Sequence, residues 1–584
     1  MFSHHQIDHN ELIIYNCSKF LNGFVMCIFL LKIEKNKKIS ERMRMPMILQ
    51  NLLKKIKYRT ILNEAAKTAA DPIPESKNES SSQPTMTTSL KDNIEIMKSY
   101  LGDCNDVKIR EFTFGRSPAV NAALIFIDGL VSNDIITESV MKPLMLFDAR
   151  TKGNVVEDVQ KRIICSGDVI NSDKEDQLLE SCLSGDTVLL IDGYRSGIII
   201  SSKGWDKRSV AEPQTEAVIR GPREGFTENF RTNTSLLRRK IRNPAFRMDT
   251  FVIGEKTRTI VSVAYLKGVA DESLIAEIKR RLNSINVDSI LESGYIEQYI
   301  EDAPFSIFPT IGKSEKPDVI AGKILEGRAA IIVDGTPFVL TVPMLFTESF
   351  QTAEDYYSRT FYSSILRLLR FLSFVFAVFG PAFFIAITTF HQELIPTTLM
   401  FTIATARGGT PFPTAVEALI LLLAFEILRE AGLRLPRPIG QAVSIVGALV
   451  MGDAAVSAGL VGAPMVVTIA ISAMAEFVTP EHQDAIIVLR LILLILASFL
   501  GDYGILLGTL WMLIDLASLK SFGVPYFAGV APMHIQDWKD LLIRAPLWTM
   551  KKRPPEFAHQ DITRQRSHIP PGDTAVSSNG DEKS

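Results

Sequence analysis

A chain of 584 residues with 63 Lys and Arg against 65 Asp and Glu carries a formal net charge of −2. That balance gives no reason to expect a nucleic-acid partner, whose binding rests on a basic excess that displaces counterions. At this length more than one domain is expected. The average composition hides a division, because residues 371–519 are overwhelmingly apolar while 1–370 and 520–584 are not. The five cysteines, Cys17, Cys27, Cys104, Cys165 and Cys182, match no zinc or haem spacing, and their odd number builds no disulfide framework. A reducing compartment is the simplest reading for the part that holds them.

Residues 20–31 form a mostly apolar run, too short to cross a bilayer comfortably. Its lysines mostly follow it and no A-x-A-like cleavage site closes it, so it makes a poor signal peptide. A weak anchor, a cryptic signal and a start codon upstream of the true one compete. We favour the last, with the true start near Met43, Met45 or Met47. Residues 71–88 are rich in Pro, Ser, Thr and charge and cannot bury enough apolar area to fold. Residues 1–89 therefore read as an N-terminal extension and disordered linker.

A soluble α/β region follows. An apolar run ending in Asp-Gly occurs at Asp128-Gly129 and recurs at Asp192-Gly193 and Asp334-Gly335, each of these two followed by a second apolar run. Such runs are strands, and Asp-Gly between them predicts a hairpin, because glycine accepts the positive φ of a tight turn. Turn aspartates are far commoner than metal-binding ones, so no metal is assigned. Residues 251–253 and 259–264 are two more strands. Asp271 then reads as an N-cap for a helix burying Leu274, Ile275, Ile278, Leu282 and Ile285. The recurrence predicts two α/β subdomains of related build, at 90–210 and 246–368. Between them, 211–245 reads as a basic connector. Its Arg220, Arg223, Arg238 and Arg239 are candidates for an inter-subunit interface, since arginine pairs acidic groups bidentately. A solvated connector with an exposed basic helix and a surface for anionic lipid are the competing readings. With no P-loop, nucleophile triad or zinc-ligand cluster, neither catalysis nor a cofactor is supported.

Residues 369–520 read as an all-α polytopic domain of four to six helical segments in the lipid bilayer. Residues 371–390 carry no charge and match the hydrocarbon thickness, with Gly380-Pro381 as a tolerated kink. A second span covers 414–428. Residues 439–478 and 485–519 each hold two short spans, or one plus a re-entrant piece, the latter broken at 501–504. Residues 391–413 are too polar for an ordinary span. Arg359, Arg367 and Arg370, then Arg429, Arg434 and Arg437, then the lysines and arginines after 520 should all be cytoplasmic. Both terminal regions then lie inside and the span count is even. The C-terminal tail, 521–584, is disordered at its end. Glu417, Glu426, Asp453, Glu476, Arg490, Asp502 and Asp515 fall within the bundle, where a charge must face protein or water. Glu417, Glu426 and Glu476 lie near predicted ends, where headgroups would accept them. Asp453, flanked by small residues, lines either a water path or a structural contact. Arg490 is a buried partner for any of these carboxylates. The candidate polar or pore set is Glu417, Glu426, Asp453, Arg490 and Asp502.

Several long motifs then converge. They are Asp128-Gly129, Gly185-Asp186 through Asp192-Gly193, Glu212-Pro213 leading to Arg220-Gly221-Pro222-Arg223-Glu224-Gly225-Phe226, and Asn233-Thr234-Ser235-Leu236-Leu237-Arg238-Arg239. In the membrane region they are Thr405-Ala406-Arg407-Gly408-Gly409-Thr410-Pro411, Glu417-Ala418-Leu419, Glu426-Ile427-Leu428-Arg429 and Arg437-Pro438-Ile439-Gly440. From about 90 to about 555 the chain resembles the A subunit of the GerA-type spore germination receptors, while residues 1–45 depart from that pattern. The resemblance implies a spore inner-membrane receptor for small nutrients, working with a transporter-like B subunit and a lipoprotein C subunit. It also implies a homo-oligomer forming a monovalent cation channel. A paralogous subunit of the dipicolinic acid transport machinery and a secondary transporter remain alternatives.

Overall fold

The computed structural model describes residues 86–565, apart from 103, 116–118, 147–154, 205–211, 214, 217, 436–451, 532–536, 542, 555, 556 and 558–560. The readings of the N-terminal extension, of Arg437 and of the end of the tail lie outside the described residues.

Two five-stranded antiparallel sheets come first. Helix α1 (Leu90–Leu101) precedes β1 (Val107–Phe114) and β2 (Val120–Ile127); β3 (Val169–Ser172), α2 (Glu175–Leu183), β4 (Thr187–Ile191) and β5 (Gly197–Ile200) follow. The sheet order is β1-β2-β4-β5-β3. The second set is α3 (Phe230–Lys240), β6 (Phe246–Ile253), β7 (Thr259–Leu266), α4 (Glu272–Ser284), α5 (Ser293–Ile300), β8 (Gly312–Ser314), α6 (Pro317–Leu325), β9 (Ala329–Val333) and β10 (Val339–Val342). Its order, β6-β7-β9-β10-β8, repeats the first. Both faces of each sheet are covered. In the first, Ile94, Met97, Leu178 and Cys182 pack on one side and Val140, Leu144 and Val159 on the other. In the second, Ile275, Ile278 and Ile296 pack opposite Leu236, Leu237 and Ile320. That is why the central strands read as unbroken apolar runs rather than alternating ones.

The repeated Asp-Gly units explain themselves. Gly193 and Gly335 take φ of 86° and 89° and turn β4 into β5 and β9 into β10. The aspartate beside each reaches back to a helix start. Asp192 Oδ1 accepts from Leu90 N at 3.1 Å, and Asp334 Oδ1 accepts from Phe230 N at 3.2 Å. One turn into each helix an asparagine clasps the incoming chain: Asn93 with Thr87, Asn233 with Thr227. Each clasp satisfies backbone groups that a helix end leaves orphaned. The first unit differs, since Asp128-Gly129 leads into a helical segment, Ile135–Met141, and not into a hairpin.

Two differences from the sequence reading stand out. Helix α3, expected in an exposed connector, is an integral cover of the second sheet, with Phe230, Leu236 and Leu237 in its core. The first long helix, α7 (Thr360–Thr389), begins eleven residues before the expected span, because 360–370 continues its helical pattern into charged sequence.

The helical domain continues with α8 (Thr397–Arg407), α9 (Thr414–Arg434), α10 (Ala463–Glu476), α11 (Gln483–Leu500) and α12 (Asp502–Ser518). Helix α8 lies in the stretch read as too polar for an ordinary span. Among the described residues, the helices at Thr360–Thr389 and Pro480–Leu500 are long and apolar enough to cross a membrane, and Ala463–Glu476 is apolar but shorter. The break expected at 501–504 is a turn at Gly501, φ 60°. A Cβ at Gly504 would lie 2.2 Å from the Leu496 carbonyl, and one at Gly508 would lie 2.4 Å from the Leu493 side chain, so only glycine lets α12 fold back this closely on α11. The second sheet domain joins this bundle through Phe346, Phe350, Phe374 and Tyr526, packed in one core with α7, α11 and α12. His482 is stacked on Phe346 at 5.0 Å between ring centroids.

Candidate functional site in the helical bundle

Three helices bring four charges together. Glu426 and Arg429 sit one turn apart on α9, Glu476 ends α10, and Arg490 lies within α11. Arg490 is 3.0 Å from Glu426 and 3.1 Å from Glu476, and Arg429 pairs with both acids. Glu476 and Arg490 are fully buried. The count of charges is even, two carboxylates against two guanidiniums, so each desolvation cost is met by an opposite charge. Chemically the cluster ties three helices and offers no spare negative charge. Arg490 lies against two of the carboxylates read as possible partners, Glu426 and Glu476. Glu476, read as near a helix end, is the last residue of α10 and is buried in protein by its ion pairs. Arg429 is likewise spent in the cluster. The Glu426-Ile427-Leu428-Arg429 spacing was the available signal, since residues three apart share a helix face.

Glu417 is placed differently. It lies in the first turn of α9, fully buried. Its Oε2 accepts from Gly462 N at 3.4 Å, just before α10, where the helix dipole favours a negative charge. Its Oε1 has no hydrogen-bond partner among the described residues. Asp502 begins α12, with Oδ2 3.6 Å from His391 Nε2. Asp453 is exposed on a short helical turn. So of the five sequence candidates, the structure unites Glu426 with Arg490 and leaves Glu417, Asp453 and Asp502 at separate positions.

The four arginines proposed for an interface also divide. Arg220 and Arg223 are exposed, Arg223 lying 3.7 Å from Glu212. Arg239 is half-buried against Glu224 at 3.2 Å. Arg238 is inside the protein. Its guanidinium pairs bidentately with Asp106, 2.7 Å and 3.2 Å, and donates to the Phe246 carbonyl. Asp106 sits in a short turn before β1, where nothing in the sequence pairs it with a residue 132 positions away. Charges before the first long helix behave alike: Arg367 is buried between Asp355 at 3.0 Å and Asp540 at 2.8 Å.

Above the bundle, the connector residue Glu216 accepts from Ser314 Oγ at 2.7 Å. Burial pushes its carboxyl up to about 7, the serine hydrogen bond only partly opposing, with nearby Glu481 and Glu315 adding to the rise.

Fold and site together define a class: two antiparallel α/β sheet domains carried on a helical bundle that holds span-length apolar helices and buried ion pairs. The family described as Bacillus/Clostridium GerA spore germination protein matches residues 95–556. Spore germination protein KA of Bacillus subtilis (strain 168) is 45% identical over 482 residues, 82% of this chain and 89% of the relative. The membrane protein YfkQ of the same organism, described as uncharacterized, is 42% identical over 475 residues, 81% of this chain and 92% of the relative. A crystal structure of the N-terminal domain of the A subunit of the Bacillus megaterium spore germinant receptor GerK3 matches at 36% identity with a TM-score of 0.37, over 45% of this chain and 98% of that one. The chain belongs to the GerA family of spore germination proteins.

Proposed function

We propose that this chain is the A subunit of a nutrient germinant receptor in the spore inner membrane. In this reading it assembles with copies of itself into a nutrient-gated monovalent cation channel, alongside a transporter-like B subunit and a lipoprotein C subunit. Both of its terminal regions are cytoplasmic, and it carries no catalytic role. Family membership supports the receptor part. One observation carries the conducting part: Glu417 is a fully buried carboxylate with one oxygen unpartnered among the described residues. A carboxylate held that way needs a cation, a proton or water to complete it, whereas the four-charge cluster is already neutral. Asp453 and Asp502 supply further carboxylates for a path. Nutrient binding would gate the assembly by favouring one of two states.

The test is rubidium flux into proteoliposomes holding the full chain with its partner subunits. Glu417→Gln should cut flux about tenfold or more. Unchanged flux in Glu417→Gln, Asp453→Asn and Asp502→Asn would overturn the conducting role. Saturable counterflow of a nutrient by the chain alone would favour a secondary transporter instead.

A further inference from the structure

The first three turns of α7 are amphipathic in the sense opposite to a helix in water. Their polar side faces the protein. Arg367 is fully buried against Asp355 and Asp540, Arg370 pairs with the same Asp355 at 2.8 Å, and Ser363 Oγ donates to the Asp355 carbonyl at 2.8 Å. Their outward side carries Phe361, Tyr362, Ile365, Leu368, Leu369 and Leu372, all between 46% and 86% exposed. At about 100° per residue these six occupy an arc roughly 120° wide, opposite the arginines. A helix bordering water shows its charges and hides its leucines. An apolar face of this extent needs a cover.

The arc continues into the span itself, where Phe376 and Phe383 are exposed on the same side. Length says where the bilayer ends. Thirty residues of α7 reach about 45 Å at 1.5 Å per residue, and the hydrocarbon core is about 30 Å thick. Roughly ten residues therefore extend beyond the core into the headgroup layer, which takes in the first three turns. Tyr362 belongs to a residue type enriched at that depth. Arg359 and Lys539, exposed beside this end of the helix, match the phosphates there.

We propose that bilayer lipid covers this face, so that membrane contact begins at Phe361 and the Asp355–Arg367–Asp540 network lies at headgroup depth behind a lipid-facing wall. A second copy of the chain would also offer apolar contact, but the unbroken arc into the span favours lipid. The inference rests on α7 crossing the bilayer, and a reference label tests that part separately.

Spin labels would be placed one at a time at Phe361→Cys, Ile365→Cys, Leu369→Cys and, as the reference, Phe383→Cys. The parent is the full chain with Cys17, Cys27 and Cys165 changed to Ser, leaving Cys104 and Cys182, which are buried. These are exposed sites, so the label displaces no packed neighbour. In proteoliposomes, collision with a water-soluble nickel chelate relative to oxygen should fall from 361 through 365 and 369 to 383, and at 365 and 369 should lie clearly below that at Lys256→Cys, an exposed site of the second sheet domain. Nickel collisions at 365 and 369 as frequent as at 256 while 383 stays lipid-exposed would overturn the proposal. Shielding of 365 and 369 from both reagents would also overturn it and point to a second protein chain. A water-exposed label at 383 would instead sink the spanning assignment of α7.

Discussion

The two sheet domains share strand order, Asp-Gly turns and asparagine clasps, yet they are attached to the molecule in opposite ways. The second is fused to the helical bundle. Phe346 and Phe350 pack in one core with α7, α11 and α12. After α12 the chain returns to it through the short hairpin Lys520–Ser521 and Val524–Pro525, where Ser521 Oγ donates to the Thr310 carbonyl at 2.7 Å. The first domain meets the second through polar contacts: Arg238 with Asp106, Arg231 with Asp128 at 3.4 Å, and Arg247 with the Leu101 and Tyr100 carbonyls. Large apolar cores resist deformation, whereas a junction of ion pairs has fewer terms to lose. The difference teaches that identical topology does not set mechanical role. The second domain is built as part of the bundle, and the first is built to be held by it.

The comparison breaks most sharply at Arg238. Its guanidinium lies 4.9 Å over the Phe246 ring as well as against Asp106, so Arg238→Ala strands a buried carboxylate. Such a loss costs about 3 to 5 kcal/mol. Expected is faster amide hydrogen exchange across α1 and β1, with the bundle unchanged. Asp106→Asn together with Arg238→Met should recover much of the loss, because no charge is then left unpaired. Equal acceleration in α11 and α12 would show the first domain to be as firmly integrated as the second.

A smaller effect separates the domains by pH. In the first, Ser172 Oγ donates to Gln177, a neutral neighbour, at 2.8 Å. The corresponding Ser314 of the second donates to Glu216, whose carboxyl is pushed up to about 7. A carboxyl raised in the folded state binds its proton more tightly there than in the unfolded chain, so stability falls as pH rises from the ordinary carboxylate range through about 7. The penalty is on the order of 3 kcal/mol by pH 8. Glu216→Gln should flatten that fall, measured as the midpoint of thermal unfolding in detergent between pH 5 and pH 8. An unaltered pH profile would show that the Glu216 carboxyl is not raised.

Much of this arrangement was legible in the sequence, and the rest was hidden for physical reasons. The Asp-Gly recurrence announced two related domains, since a left-handed turn between apolar runs is a local requirement. Arg490 as the buried partner of an acid was legible because a lone charge in hydrocarbon demands one. Helix α3 was misjudged from its charge. Its Arg238 is matched by an aspartate 132 residues away, and no local pattern reports such a partner. Arg367 and Arg429 were legible only as charges flanking apolar segments, because their partners Asp355, Asp540, Glu426 and Glu476 are supplied by the fold.

The smallest effect asks whether the twin caps are equal. Asp192 and Asp334 each accept from the first amide of a helix, at 3.1 Å and 3.2 Å, so Asp192→Ala and Asp334→Ala should each remove about 1 kcal/mol locally. The consequence should differ even though the bond does not. In the first domain helix α1 meets the second domain only at its far end, through the Arg247 contacts to the Tyr100 and Leu101 carbonyls, and exchange at the start of α1 should rise about fivefold. In the second, α3 also carries the Arg238 pair, so its opening needs that pair to break as well and exchange should rise less. Equal increases would mean that the cap, and not the domain junction, limits the opening of both helices.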